Sequence, residues 1–73
     1  MSNFSERLKQ LREEKGVTQK EMAEILKLSP RGYQAYEYKG HYPAYKGLLF
    51  LADFFNVSLD YLTGRSDVRE IAR

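Results

Sequence analysis

Cysteine is missing altogether, so neither disulfide cross-links nor thiolate metal sites can stabilise this chain. That composition suits a reducing compartment. Long apolar stretches are missing too: the longest, Leu48 to Ala52, is far shorter than a bilayer requires, and the amino-terminal residues lack the basic-then-apolar order of an export signal. The expectation is a soluble, cytoplasmic protein with no membrane contact. Charge of one sign is also scarce, because 12 Lys and Arg nearly balance 10 Asp and Glu. A net charge of +2 says little by itself, so its placement carries more weight. His41 is the only histidine, and no carboxylate pair or nucleophile lies near it in sequence. With no glycine-rich phosphate loop and no metal-ligand spacing, neither an enzyme nor a metal or cofactor site is expected.

What is present is a sequence of helix starts and stops. At 73 residues there is room for one small domain, near the size at which an apolar core alone suffices. The organising stretch runs from Thr18 to Glu37. Thr18 can cap a helix while Glu21 reaches back to the Thr18 amide, a capping box, with Val17 and Met22 placed as its hydrophobic staple. Ser29-Pro30 opens another helix, the serine as cap and the proline where no donor is needed. Only about eight helical residues and a turn fit between the two starts, so the second of these helices must leave steeply, as in a helix-turn-helix.

The remaining elements frame this pair. A first helix follows Asn3, carries Phe4, Leu8 and Leu11 at helical spacing, and closes at Gly16. The second spans about Gln19 to Leu26, with Lys27-Leu28 as turn, and the third about Pro30 to Tyr38. Tyr33 and Tyr36 should face inward, leaving Arg31, Gln34, Ala35 and Tyr38 on the other side. A fourth helix is expected over about Ala44 to Phe55, and a short fifth after Ser58, stopped by Gly64. The expected domain covers residues 1–65, followed by a tail, 66–73, that adds a helical turn from Ser66 or stays frayed. Residues 29–47 carry Arg31, Lys39 and Lys46 against Glu37 alone, so the positive excess falls on the third helix and the loop after it.

The segments LREEKGVTQKEMAEIL, LSPRGYQAYE and ADFFNVSLDYLTG resemble the helix-turn-helix domains of the phage repressor and Cro type, the XRE-like family. The resemblance covers residues 3–64 and rests on Gly16, Thr18-Gln19, Glu21, Ala23, Ser29, Glu37, Pro43 and Val57-Ser58-Leu59-Asp60, in that order. It implies an all-α, compact five-helix fold of the lambda-repressor-like type whose third helix enters a DNA major groove. By position, Pro30, Arg31, Gln34 and Ala35 then fall where such proteins read bases. Arg31 suits guanine, Gln34 adenine, and Ala35 a thymine methyl. Gln19 matches the family's phosphate contact at the start of its second helix, with Lys39, His41, Tyr42 and Lys46 as further phosphate candidates. The family also pairs Arg12 with Glu37.

The function implied is a sequence-specific transcriptional regulator, expected to repress, that binds a pseudo-palindromic double-stranded operator as a homodimer. A protein-interaction module resembling an antitoxin or anti-repressor is the alternative, with a regulatory protein partner. Its surface would be built on Phe50, Phe54 and Tyr61. Phe50 and Phe54 stand where the family usually has polar or small residues, which implies a dimer contact, a tail packed through Val68 and Ile71, or an enlarged core. Other departures are Lys27 at the usual turn glycine, Gly40 in place of an earlier glycine, and Ala44 at a usual cap.

Overall fold

The computed structural model describes residues 3–71; positions 1, 2, 72 and 73, the ends of the expected domain and tail, lie outside it. Five helices follow in order: α1 (Phe4–Lys15), α2 (Gln19–Leu26), α3 (Pro30–Tyr38), α4 (Tyr45–Phe55) and α5 (Leu59–Leu62), with no strand among the described residues. The all-α, lambda-repressor-like expectation holds.

The caps act as their side-chain chemistry predicts. Asn3, Ser29 and Ser58 each accept from a backbone amide three residues on, and Thr18 and Glu21 complete their reciprocal box. Ala44 makes no side-chain cap, so α4 begins at Tyr45 rather than at Ala44. There Pro43 packs over the first turn, and a Cβ on Gly47 would lie 2.9 Å from the proline Cβ, which is why a glycine occupies this helical position. Gly32 similarly leaves room for its own cap, since a Cβ there would meet Ser29 Oγ at 3.2 Å.

The turn between α2 and α3 is made by Lys27 at φ 59°, in the left-handed region. Its amide donates to Ala23 and Glu24 carbonyls, so the last turn of α2 is closed despite the absence of glycine.

Phe4, Leu8, Leu11, Met22, Ala23, Tyr33, Leu51, Ala52, Val57, Tyr61 and Leu62 form one buried cluster. Two arginines of α1 are buried with them. Arg7, which its charge assigns to the solvent face, sits 3.8 Å from the Tyr61 ring and donates to the carbonyls of Tyr61 and Ser66 and to Asp67. Tyr61 is therefore core and not a partner surface, a correction that follows from its place between Arg7 and Arg69.

The tail forms no helical turn at Ser66. Instead Ser58 donates through its amide to the Arg69 carbonyl at 2.7 Å and through its hydroxyl to the Val68 carbonyl at 3.0 Å. Arg69 in turn grips Glu14 with two hydrogen bonds, 2.8 and 2.7 Å, and donates to the Tyr61 hydroxyl. Val68 remains 60% exposed, so the contacts that hold this part of the tail are polar, while Ile71 is half-buried.

Arg12, the second buried arginine, locks α3 to α1. Its Nε donates to Glu37 Oε2 at 2.7 Å, and its Nη1 to the Val17 carbonyl at 2.9 Å. Tyr33 donates its hydroxyl to the same Oε2, and Gln19 Nε2 donates to Oε1 at 3.1 Å. Burial, the largest influence, pushes the Glu37 carboxyl up, but the bonds from Arg12, Tyr33 and Gln19 together outweigh it and hold it below its ordinary value. The Tyr33 hydroxyl is pushed up by burial and by the adjacent carboxylate, so it stays a donor.

Three measurements follow from these contacts. Arg12→Met leaves the Glu37 charge buried without its counter-ion, and urea unfolding should show a loss of about 3–5 kcal/mol. Glu37→Gln should be costly too, and the double variant should lose less than the sum of the singles. Because folding lowers the Glu37 carboxyl below its unfolded value of 4.5, its contribution is complete above that pH and is lost as pH falls through the folded value. Acid unfolding of Glu37→Gln should accordingly fall less steeply than wild type below the ordinary carboxylate range. Finally, Lys27→Gly should raise the urea midpoint by the equivalent of about 1 kcal/mol, the strain of a left-handed side chain.

Candidate nucleic-acid interface

With α3 fixed from behind by Glu37, its outer side is free. Arg31, Gln34, Ala35, Tyr38 and Lys39 line one shallow depression along the helix. Pro30 and Arg31 are exposed, while Gln34 and Ala35 are partly covered. Of the residues expected to read bases, Arg31, Gln34 and Ala35 are thus brought together, joined by Tyr38, which is 64% exposed, while Pro30 is exposed outside the depression.

Electrostatics favour an anion there more than the net charge implies. Glu37 is the sole acid of residues 29–47, and its side chain has no solvent exposure. At the surface this segment presents only Arg31, Lys39 and Lys46, all exposed, with His41 beside them. Exposed cations without an exposed acid among them are the footprint by which proteins hold a phosphate backbone.

Gln19 behaves differently from its expected role. Its Nε2 donates both to Glu37 Oε1 and, at 2.7 Å, to the Tyr38 hydroxyl, so its amide hydrogens are engaged within the protein. Its Oε1 accepts from Gln34 Nε2 at 3.4 Å. The result is a chain from the buried carboxylate through Gln19 to Gln34 on the exposed surface. The amino end of α2 is similarly occupied: the Thr18 amide donates to Glu21 Oε1, and this bond, with that of the Thr18 hydroxyl, holds the Glu21 carboxyl below its ordinary value. A carboxylate already complements that terminus, so it attracts an external anion less than bare amides would.

The loop after α3 carries the other candidates. Lys39 closes the helix, its amide donating to the Ala35 carbonyl, and His41 donates its own amide to the same oxygen at 3.3 Å. Tyr42 is 60% exposed, yet one face of its ring stacks on Phe4 with centroids 5.1 Å apart. It shields the core and keeps its other face to solvent. Ser5 Oγ donates to the Tyr36 carbonyl at 2.6 Å, a further tie between α1 and the end of α3.

Tyr38 and Arg7 are the residues whose importance composition hid. Tyr38 follows Arg31, Gln34 and Ala35 on the same face at helical spacing, a signal present in the sequence. Arg7 stands three residues after Phe4 and four before Leu11, squarely on the apolar stripe, and only its charge argued for solvent. On α4, Phe50 is 44% exposed, while Phe54 is half-buried, its ring edge-on to Phe55 and 4.9 Å from Lys15 Nζ. Of the expected apolar surface, Phe50 is the exposed part and Phe54 its border.

No helix among the described residues is long and apolar enough to cross a membrane, and no group of three or more His, Asp or Glu is placed to hold a metal ion.

Comparison with known proteins agrees with this geometry. A family profile described as a helix-turn-helix domain matches residues 5–68. Among curated proteins of Bacillus subtilis (strain 168), the uncharacterised HTH-type transcriptional regulator YqaE is 44% identical over 59 residues, covering 81% of this chain and 51% of that protein. The HTH-type transcriptional regulator ImmR is 39% identical over 66 residues, 90% of this chain and 52% of its own length. An SPbeta prophage-derived uncharacterised regulator, YonR, is 41% identical over 59 residues, 81% of this chain and 55% of that one. The chain thus spans about half the length of the curated relatives it matches. With Gly16, the Thr18 capping box, the left-handed turn, the Ser29 cap and the Arg12–Glu37 pair each in its structural role, the chain belongs to the phage repressor/Cro-type, XRE-like family of helix-turn-helix domains.

Proposed function

We propose that this chain is a sequence-specific double-stranded DNA-binding regulator of transcription that inserts α3 into the major groove. The observation that carries the reading is that Arg31, Gln34 and Ala35 line one depression on the outer side of a helix whose only acid is buried. A groove about 12 Å wide accepts such a helix, with Arg31 directed to guanine, Gln34 to adenine and Ala35 to a thymine methyl. Pro30 adds shape without a hydrogen bond. Lys39 and Lys46, with His41 and Tyr42 between them, meet phosphates, and Gln19 does so after releasing Tyr38.

Two copies on a pseudo-palindrome place their recognition helices about 34 Å apart. The domain measures 33 × 23 × 21 Å, so two of them fit side by side over such a site. Occupying a promoter in this way represses it. The names of the relatives, HTH-type transcriptional regulators, support the regulatory reading.

Selection of duplexes from a random pool tests the reading directly. The expected product is an inverted repeat, and Arg31→Ala should weaken its binding by about 1–3 kcal/mol while relaxing the preference at one base pair. Lys39→Ala should weaken all duplexes alike and reduce the salt slope by about 1. Recovery of no common motif, or an Arg31→Ala variant that binds as selectively as wild type, would refute operator reading.

A further inference from the structure

The inward side of α4 carries Leu48, Leu51, Ala52 and Phe55, which are buried or packed against the core. Its outward side carries Tyr45, Lys46, Leu49, Phe50 and Asp53, all exposed, with half-buried Phe54 at the edge. Such a face should be polar on a helix that meets only water. Here Tyr45 is 66%, Leu49 38% and Phe50 44% exposed, and the Phe50 and Phe54 rings stack with centroids 6.0 Å apart into one continuous apolar strip.

The order of residues on this side is self-complementary. At about 100° per residue, Lys46 and Asp53 fall on one line down its middle, Leu49 and Phe50 lie about 50° to either side, and Tyr45 and Phe54 bound it about 90° away. A second copy related by a two-fold axis that crosses the helices between positions 49 and 50 brings its Asp53 opposite Lys46, while Leu49 and Phe50 each meet their own counterparts. Opposite charges facing each other, with apolar side chains meeting between them, satisfy the reciprocity that a two-fold interface requires.

We propose that this face is where a second copy of the chain packs, α4 antiparallel to α4, with each Lys46 against the second copy's Asp53 and Phe50 and Leu49 each against their counterparts at the axis. Opposite charges seven residues apart, with apolar side chains between them, each meet a charge of opposite sign at equal spacing on the antiparallel second copy. The inference deepens the paired DNA reading above by naming the contact. With three ammonium donors, Lys46 can hold the second copy's Asp53 and a phosphate at once. An eleven-residue helix is only about 16 Å long, so the contact falls below the roughly 800 Å² per partner of a standard interface and the pair is weak.

Sedimentation equilibrium without DNA, with circular dichroism to confirm folding, tests the pairing and its register. Wild type should dimerise reversibly, and Phe50→Asp should raise the dissociation constant at least about tenfold. Lys46→Glu alone places two acids opposite each other, and Asp53→Lys alone places two bases opposite each other, so each should associate more weakly than wild type. An equimolar mixture of these two variants should associate again, because every charge then meets its opposite. Wild type that stays monomeric up to about 1 mM, a Phe50→Asp dimer as tight as wild type, or a mixture no tighter than its separate components would overturn the proposal. A monomer that still selects a single half-site sinks the α4 pairing and leaves the DNA reading intact; a dimer that selects no sequence does the reverse.

Discussion

Glu37 is the point on which the arrangement depends. A carboxylate with no solvent exposure is tolerable only because Arg12, Tyr33 and Gln19 bring donors to both its oxygens. Those donors come from α1, α3 and the start of α2, so satisfying one charge fixes three helices at once. Arg12 extends the node to the Val17 carbonyl, immediately before the Thr18 cap. No buried side-chain polar atom among the described residues lacks a partner, which means the node closes without remainder. The apolar cluster supplies the driving force for collapse, and the node supplies the orientation of α3.

This division explains what the sequence made legible. Local chemistry fixed the helix ends: Thr18 with Glu21, Ser29 with Pro30, Gly16 and Asn56 each act over three or four residues, and the bounds of α2 and α3 match the expected ones. The resemblance supplied the Arg12–Glu37 pair. Long-range polar contacts were hidden because they carry no periodic signature. Arg7 and Tyr61 lie 54 residues apart, and nothing in either neighbourhood announces that a guanidinium will cover that ring. Residue type misled for Arg7, whose position on the stripe of Phe4, Leu8 and Leu11 was already the better guide. The tail was opaque for a related reason: Ser58 holds it through the carbonyls of Val68 and Arg69, which every sequence possesses, and Arg69 reaches Glu14 across 55 residues.

The two outward surfaces show opposite solutions to being exposed. Along α3, burying the local acid leaves a cationic row with polar side chains at its centre. Along α4, apolar side chains take the place of the polar ones that water favours, with one charge of each sign between them. Half-buried Phe54 apart, the outward side chains lie outside the apolar cluster, and the helices beneath them are secured chiefly by other residues. That separation lets the outer residues vary without disturbing the fold, a condition for one scaffold to serve many recognition sequences.

Gln34 shows what the hydrogen-bond chain from Glu37 achieves at its far end. An exposed glutamine loses about 0.5–1.5 kcal/mol of rotamer freedom when a ligand immobilises it. Here Gln19 holds the Gln34 amide by one hydrogen before any ligand arrives, and Tyr38 holds Gln19. Part of that ordering is therefore completed during folding, and the remaining N–H and the carbonyl oxygen stay open to a base edge. The core of this small domain thus reaches its surface as preorganisation, transmitted by two amides and a phenol.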